Sequence, residues 1–216
     1  DKANWYSIAT TEITRICVAE RWNPITFTEQ LSILSPRVSI RRNVRLALSY
    51  KGEGEFLGNV LPGVRRSMEI YNASGVIGGN KVPYFSRALL GDNDSITLDT
   101  WMAYALLVVP DPTVTMFRRK ATHKAANALV TKVAVRLGLT PRDCQAAIWC
   151  GRFRESGREP GYFPVYEEYE RWLAYDRKFP RTGSIGVPND DKRADPAEDA
   201  VFAENASSFD FGANSF

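Results

Sequence analysis

An amine and a carboxylate eighteen positions apart, Lys81 and Asp99, are the residues in this sequence whose types best suit covalent chemistry. A lysine amine becomes a nucleophile once it loses its proton. A carboxylate can accept that proton or stabilise a developing positive charge, so the two together suit a substitution reaction. Gly78, Gly79 and Asn80 immediately precede Lys81. A glycine turn at that point can aim several backbone N–H groups at one phosphate, while the following helix adds partial positive charge at its N-terminus. Each residue also has a plainer reading: an ordinary turn for the glycines, a solvated amine for Lys81 and a helix cap for Asp99.

The rest of the composition narrows the chemistry. His123 is the sole histidine, which excludes an HExxH metal site and any mechanism needing several imidazoles. Cys17, Cys144 and Cys150 are too few and too widely spaced for a disulfide framework, a four-cysteine cluster or a CxxC zinc site, and read as reduced, buried thiols. The reaction would therefore run on carboxylate, lysine, arginine and amide groups, with no metal and no cofactor. At 216 residues, 44% hydrophobic and 25% charged, the chain has the makeup of one globular domain with a tail. No apolar run reaches the ~18–20 residues of a membrane span, and the first residues lack the basic start and apolar stretch of a secretory signal. The expectation is a cytoplasmic monomer with no membrane partner.

These residues must be positioned by helices, because period-two alternation is almost absent. Residues 3–21 place Ile8, Ile13, Ile16 and Ala19 near helical spacing. Thr26 and Glu29 have the spacing of a capping box that opens a short buried helix ended by Pro36. A helix over 38–50 carries Arg41, Arg42 and Arg45 on a basic face suited to phosphate, and ends at Gly52–Gly54. Further helices run from Pro62 to Gly75 and from Lys81 to Gly91, and Asp99 starts the next. A long helix over 121–138 is expected to bury Ala125, Ala126, Leu129, Val133 and Leu137, and Thr140 caps its successor. An aromatic-rich helix closes the body. The fold class is all-α, with a two-lobed helical body over residues 1–185 and an acidic, flexible tail over 186–216.

Charge separates along the same boundary. Residues 186–216 hold two basic and seven acidic groups, leaving 26 basic and 18 acidic before them. The basic body suits a polyanion, and an ordinary solvated surface with a solubilising tail accounts for the same numbers.

The stretch GGNKVPYFSRALLGDNDSITLDTWM (78–102) resembles the hairpin-to-aspartate segment of helix-hairpin-helix base-excision DNA glycosylases. In that superfamily a GVGxK-like hairpin is followed about 18 residues later by a VDTH-like helix start. FTEQLSILSPRVSIRRN (27–43) is similar to the superfamily's early helix and its turn, so the resemblance spans roughly residues 26–110, with the helices to Phe153 completing a second lobe. It departs at Ile77, where the hairpin's first glycine is usual, and at Trp101, where a histidine is usual. LPGV at 61–64 imitates the hairpin but has no aspartate at the right distance.

The resemblance implies that Asp99 stabilises the sugar cation as the base leaves and that Lys81 attacks C1′, adding lyase activity. It also implies that Gly78, Gly79 and Asn80 hold a DNA phosphate and that Arg37 fills the gap left by a flipped nucleotide. Gln145, Trp149 and Trp101 are the candidate base pocket, and core packing is the alternative for Gln145 and Trp149. A likeness to small glycosylase-like proteins of phages and anti-phage loci implies, as substrate, double-stranded DNA carrying a modified pyrimidine. Two other readings are open: a non-catalytic helix-hairpin-helix DNA-binding module, and a phage structural or partner-binding protein.

Overall fold

The computed structural model describes residues 4–56, 58–107, 114–157 and 164–178. Their regular structure is nine α-helices and one short 3-10 helix, without a strand. In order these are α1 (Trp5–Glu20), α2 (Pro24–Ile33), α3 (Ile40–Glu53), α4 (Pro62–Ser74), α5 (Val82–Leu89), α6 (Thr100–Leu106), the 3-10 segment (Val114–Arg118), α7 (Lys120–Leu137), α8 (Pro141–Glu155) and α9 (Val165–Lys178). The fold is all-α, and no described helix is long and apolar enough to cross a membrane. The acidic segment 186–216 lies outside the described residues.

Local chemistry sets most helix boundaries. Side chains of Asn23, Ser39, Asp99 and Thr140 accept hydrogen bonds from backbone N–H groups that the first turns of α2, α3, α6 and α8 would otherwise leave unpaired. Gly75 and Gly138, at φ 69° and 65°, end α4 and α7 in the left-handed conformation that glycine adopts without a Cβ clash. Thr26 and Glu29 do not form the expected capping box. Asn23 caps α2 with Pro24 in the first position, and the Glu29 carboxylate instead accepts from the Tyr71 hydroxyl at 2.5 Å.

Buried apolar residues form two clusters. The larger joins α1 to α5 and α9 around Tyr6, Ile13, Phe27, Leu31 and Leu48. The smaller joins the extended segment before α6 to the 3-10 segment, α7 and α8 around Leu98, Met102, Phe117 and Val130. Helix α8 crosses the seam between them: Ala146 belongs to the first cluster and Cys144 to the second. All three cysteines are buried and outside any disulfide, and burial pushes the Cys17 thiol up to about 11.

Two helix faces differ from expectation. On α1 the buried stripe is Tyr6, Ala9, Ile13, Ile16 and Cys17, with Ile8 and Ala19 outside. On α7 it is Ala126, Val130 and Ala134, with Ala125, Leu129 and Leu137 exposed. Alanine lets neighbouring helices approach closely, so the small residue takes the inner position and the larger one is displaced to the flank.

Helix α9 is tied down by charge as well as apolar contact. The fully buried Glu168 carboxylate meets Arg41 at 2.8 Å, Arg45 at 2.6 Å and Arg171 at 2.7 Å. Because these guanidinium groups stay about half exposed, their loss is screened by water and costs less than breaking a fully buried pair. Glu168→Ala should lower unfolding free energy by about 1–3 kcal/mol in urea titration. Glu155→Ala, at the exposed Arg152–Glu155 pair, should change it by less than about 1 kcal/mol.

Candidate functional site

Lys81 and Asp99 converge at the seam. Lys81 ends the glycine-rich connection after α4 and is the N-cap residue of α5; Asp99 is the N-cap residue of α6. Both are half-buried. The Lys81 amine makes no ion-pair contact or hydrogen bond among the described residues, and sits 5.5 Å from the Phe85 ring centre. Phe85 is four positions along the same helix, which is the spacing that places one side chain over another.

Each charge acts on the other across the gap. Burial pulls the Lys81 amine below the ordinary lysine range, an effect opposed by the negative charge of Asp99. Burial pushes the Asp99 carboxyl above the ordinary carboxylate range, opposed first by the Lys81 charge and then by hydrogen bonds. Asp99 Oδ1 accepts from the Met102 backbone N–H at 3.0 Å, and Oδ2 accepts from the Trp149 indole N–H at 3.1 Å. Desolvation therefore moves the two groups toward their neutral forms, in which an amine is nucleophilic.

Aromatic rings surround this pair. Trp5 lies 6.5 Å from both Phe85 and Trp149, and Trp149 stacks on Phe153 at 4.9 Å and 16°. Trp101 meets Phe153 edge-on at 5.2 Å. Trp149 and Trp101 thus join the Asp99 neighbourhood, together with Trp5, Phe85 and Phe153, which the sequence reading did not assign to a site. The i to i+4 relation of Phe85 to Lys81 was the available signal. Gln145 is withdrawn from the surface: it is 2% exposed, and its Oε1 lies 3.0 Å from the Tyr6 hydroxyl, which is also 3.0 Å from Thr97 Oγ1.

The proposed phosphate contacts divide in two. Gly78, Gly79 and Asn80 are exposed beside Lys81, with open space where a Cβ would stand at either glycine. Asn80 Nδ2 donates to the Phe117 carbonyl at 3.4 Å. Arg37, at φ 57°, occupies the turn between α2 and α3. Arg41 and Arg45 are held by the carboxylates of α9, and Arg42 Nη2 donates to the Asn59 carbonyl at 3.1 Å. The basic face of α3 is therefore largely compensated.

The indole bond is a specific handle on Asp99. Trp149→Phe removes one donor while keeping an aromatic ring, so the Asp99 carboxyl should titrate at higher pH, as read by carbon NMR of the labelled side chain. No curated protein and no solved structure shows significant similarity to this sequence. Residues 1–156 match the model described as a family of unknown function, DUF7178, and the chain belongs to that family.

Proposed function

We propose that the protein is a DNA glycosylase that releases a flipped, modified base and can follow release with a lyase step through Lys81. The observation that carries this reading is the half-buried Lys81 amine, unpaired among the described residues, facing Asp99 across an aromatic-lined seam. Electrostatics alone favour such an arrangement at an anomeric carbon. As the C1′–base bond breaks, positive charge grows on the sugar, and a carboxylate held by two N–H donors supports it without reorganising.

In the lyase branch, the lone pair of Lys81 forms a bond to C1′ while the base leaves with the bonding pair and takes up a proton. The attached nitrogen gives a proton to Asp99, and ring opening yields the imine that permits strand cleavage. In the hydrolytic branch, water takes the place of the amine and Asp99 accepts its proton. The flat rings of Trp5, Trp149 and Phe153 supply stacking surfaces of the kind that hold an extruded base. The proposed substrate is double-stranded DNA with a modified pyrimidine, with antiviral defence as the setting.

A second reading has its own support. Asp99 caps α6 through the Met102 N–H, the role it would have in a non-catalytic DNA-binding module in which Lys81 contacts phosphate.

The two readings separate under substitution. Incubated with genomic DNAs rich in modified pyrimidines, the wild-type chain should release free base detectable by mass spectrometry. Asp99→Asn should reduce release by at least about 100-fold, with duplex affinity retained; equal release by both would leave Asp99 as a cap alone. On abasic DNA, borohydride should trap a covalent adduct with wild type and none with Lys81→Met. The trapping rate should rise with pH and level off below the ordinary lysine range, because the reactive species is the neutral amine and burial lowers its pKa.

A further inference from the structure

The proposed reading needs a cationic track for the DNA backbone, and α3 does not offer one free of partners, since Arg41 and Arg45 are tied to Glu168 and Arg41 also to Glu167. Residues 114–139 are different. They contain Arg118, Arg119, Lys120, Lys124, Lys132 and Arg136 and no Asp or Glu. All six are exposed, and none makes an ion pair among the described residues.

Helical geometry gathers them. With Ala126, Val130 and Ala134 turned inward, the 100° step per residue sends Lys124, Lys132 and Arg136 to the outer side and leaves Lys120 on the flank. Between them lie Ala128 and Thr131, and Lys124, Ala128, Thr131, Lys132, Val135 and Arg136 share one open surface patch of α7. Ala128 and Thr131 are small, so phosphates could approach the helix between the cations.

The stripe also leads to the candidate site. Asn80 of the glycine turn donates to Phe117, in the 3-10 segment just before Arg118. His123, in the first turn of α7, packs 5.1 Å from Tyr84, three residues after Lys81. The positive face thus begins beside the Gly78–Lys81 turn and runs about 24 Å along the helix from Lys120 to Arg136. One strand of a duplex carries about seven phosphates over that length.

We infer that the outer face of α7, through Lys124, Lys132 and Arg136 with Lys120 flanking its start, is the surface that binds the phosphate backbone of double-stranded DNA and leads it to the Gly78–Lys81 turn. This deepens the proposed function and rests on it for the identity of the polyanion. The contacts are to phosphates, so they fix position and confer salt dependence without reading sequence.

The test is the affinity of the full chain for a fluorescent duplex of ordinary bases, followed as salt is raised. Lys124→Gln/Lys132→Gln is compared with Arg65→Gln/Arg66→Gln, which removes the same charge from the exposed side of α4. The α7 variant should bind about tenfold or more weakly at low salt, and its slope of log affinity against log salt should fall by about 1.8, for two lost phosphate contacts. The α4 variant should stay within about threefold of wild type. Unchanged binding by the α7 variant overturns the inference. Equal losses in both variants overturn it too, because net charge alone would then explain them. Absence of any salt-dependent affinity in the wild-type chain also overturns it. Because an ordinary duplex requires no excision, α7-dependent binding without base release on any DNA would remove the glycosylase reading and leave this surface standing. Base release by a chain whose affinity ignores α7 would do the reverse.

Discussion

Holding opposite charges near each other in a poorly solvated place, without letting them close into a contact pair, constrains everything around them. A direct Lys81–Asp99 salt bridge would fix both groups in their charged forms and use up the amine. Here the carboxylate is instead occupied by the Met102 N–H and the Trp149 indole, while the amine lies against Phe85. Those partners come from α5, α6 and α8, so the arrangement requires the two apolar clusters to meet at one register. The Tyr6–Gln145–Thr97 contacts span the same seam and link α1, α8 and the segment leading to α6. Desolvation raises the Tyr6 phenol far above its usual value, which keeps that connection neutral.

What the sequence made legible was mostly local. Asp99 as the start of α6, Thr140 as a cap, Gly75 and Gly138 as stops and the glycine connection before Lys81 all follow from interactions within a few residues. The α2 cap was misassigned because Asn23 and Thr26 both carry suitable oxygens, and Pro24 settles the choice by fitting the first helical position. The buried faces of α1 and α7 were less legible, because a ranking by apolar size favours Leu129 and Leu137 over Ala126 and Ala134. The packing distance between helices reverses that ranking.

Charge was the least legible property. Arg41, Arg42 and Arg45 form an evident basic cluster in the sequence, yet the carboxylates that compensate two of them come from Glu167 and Glu168, more than 120 positions away. Along α7 the cations are spread through an alanine-rich run and do not look like a cluster. Helical geometry brings them onto one side, and the absence of acidic residues from 114 to 139 leaves them without local partners. For the site itself, Lys81, Asp99 and Trp149 were legible by type, whereas the ring cluster of Trp5, Trp149 and Phe153 depends on α1 meeting α8.

The final helix sits beyond the stretch shared with the family, which ends at residue 156. It nevertheless supplies Val165 and Tyr169 to the larger apolar cluster and Glu168 to the arginines of α3. A relative lacking this helix would have two tasks: shielding the hydrophobic surface of α1 and α3, and accommodating guanidinium groups stripped of their counterions. α9 therefore works like a clasp added to a common body, and its presence or loss would reset which side of that body looks positive to an approaching polyanion.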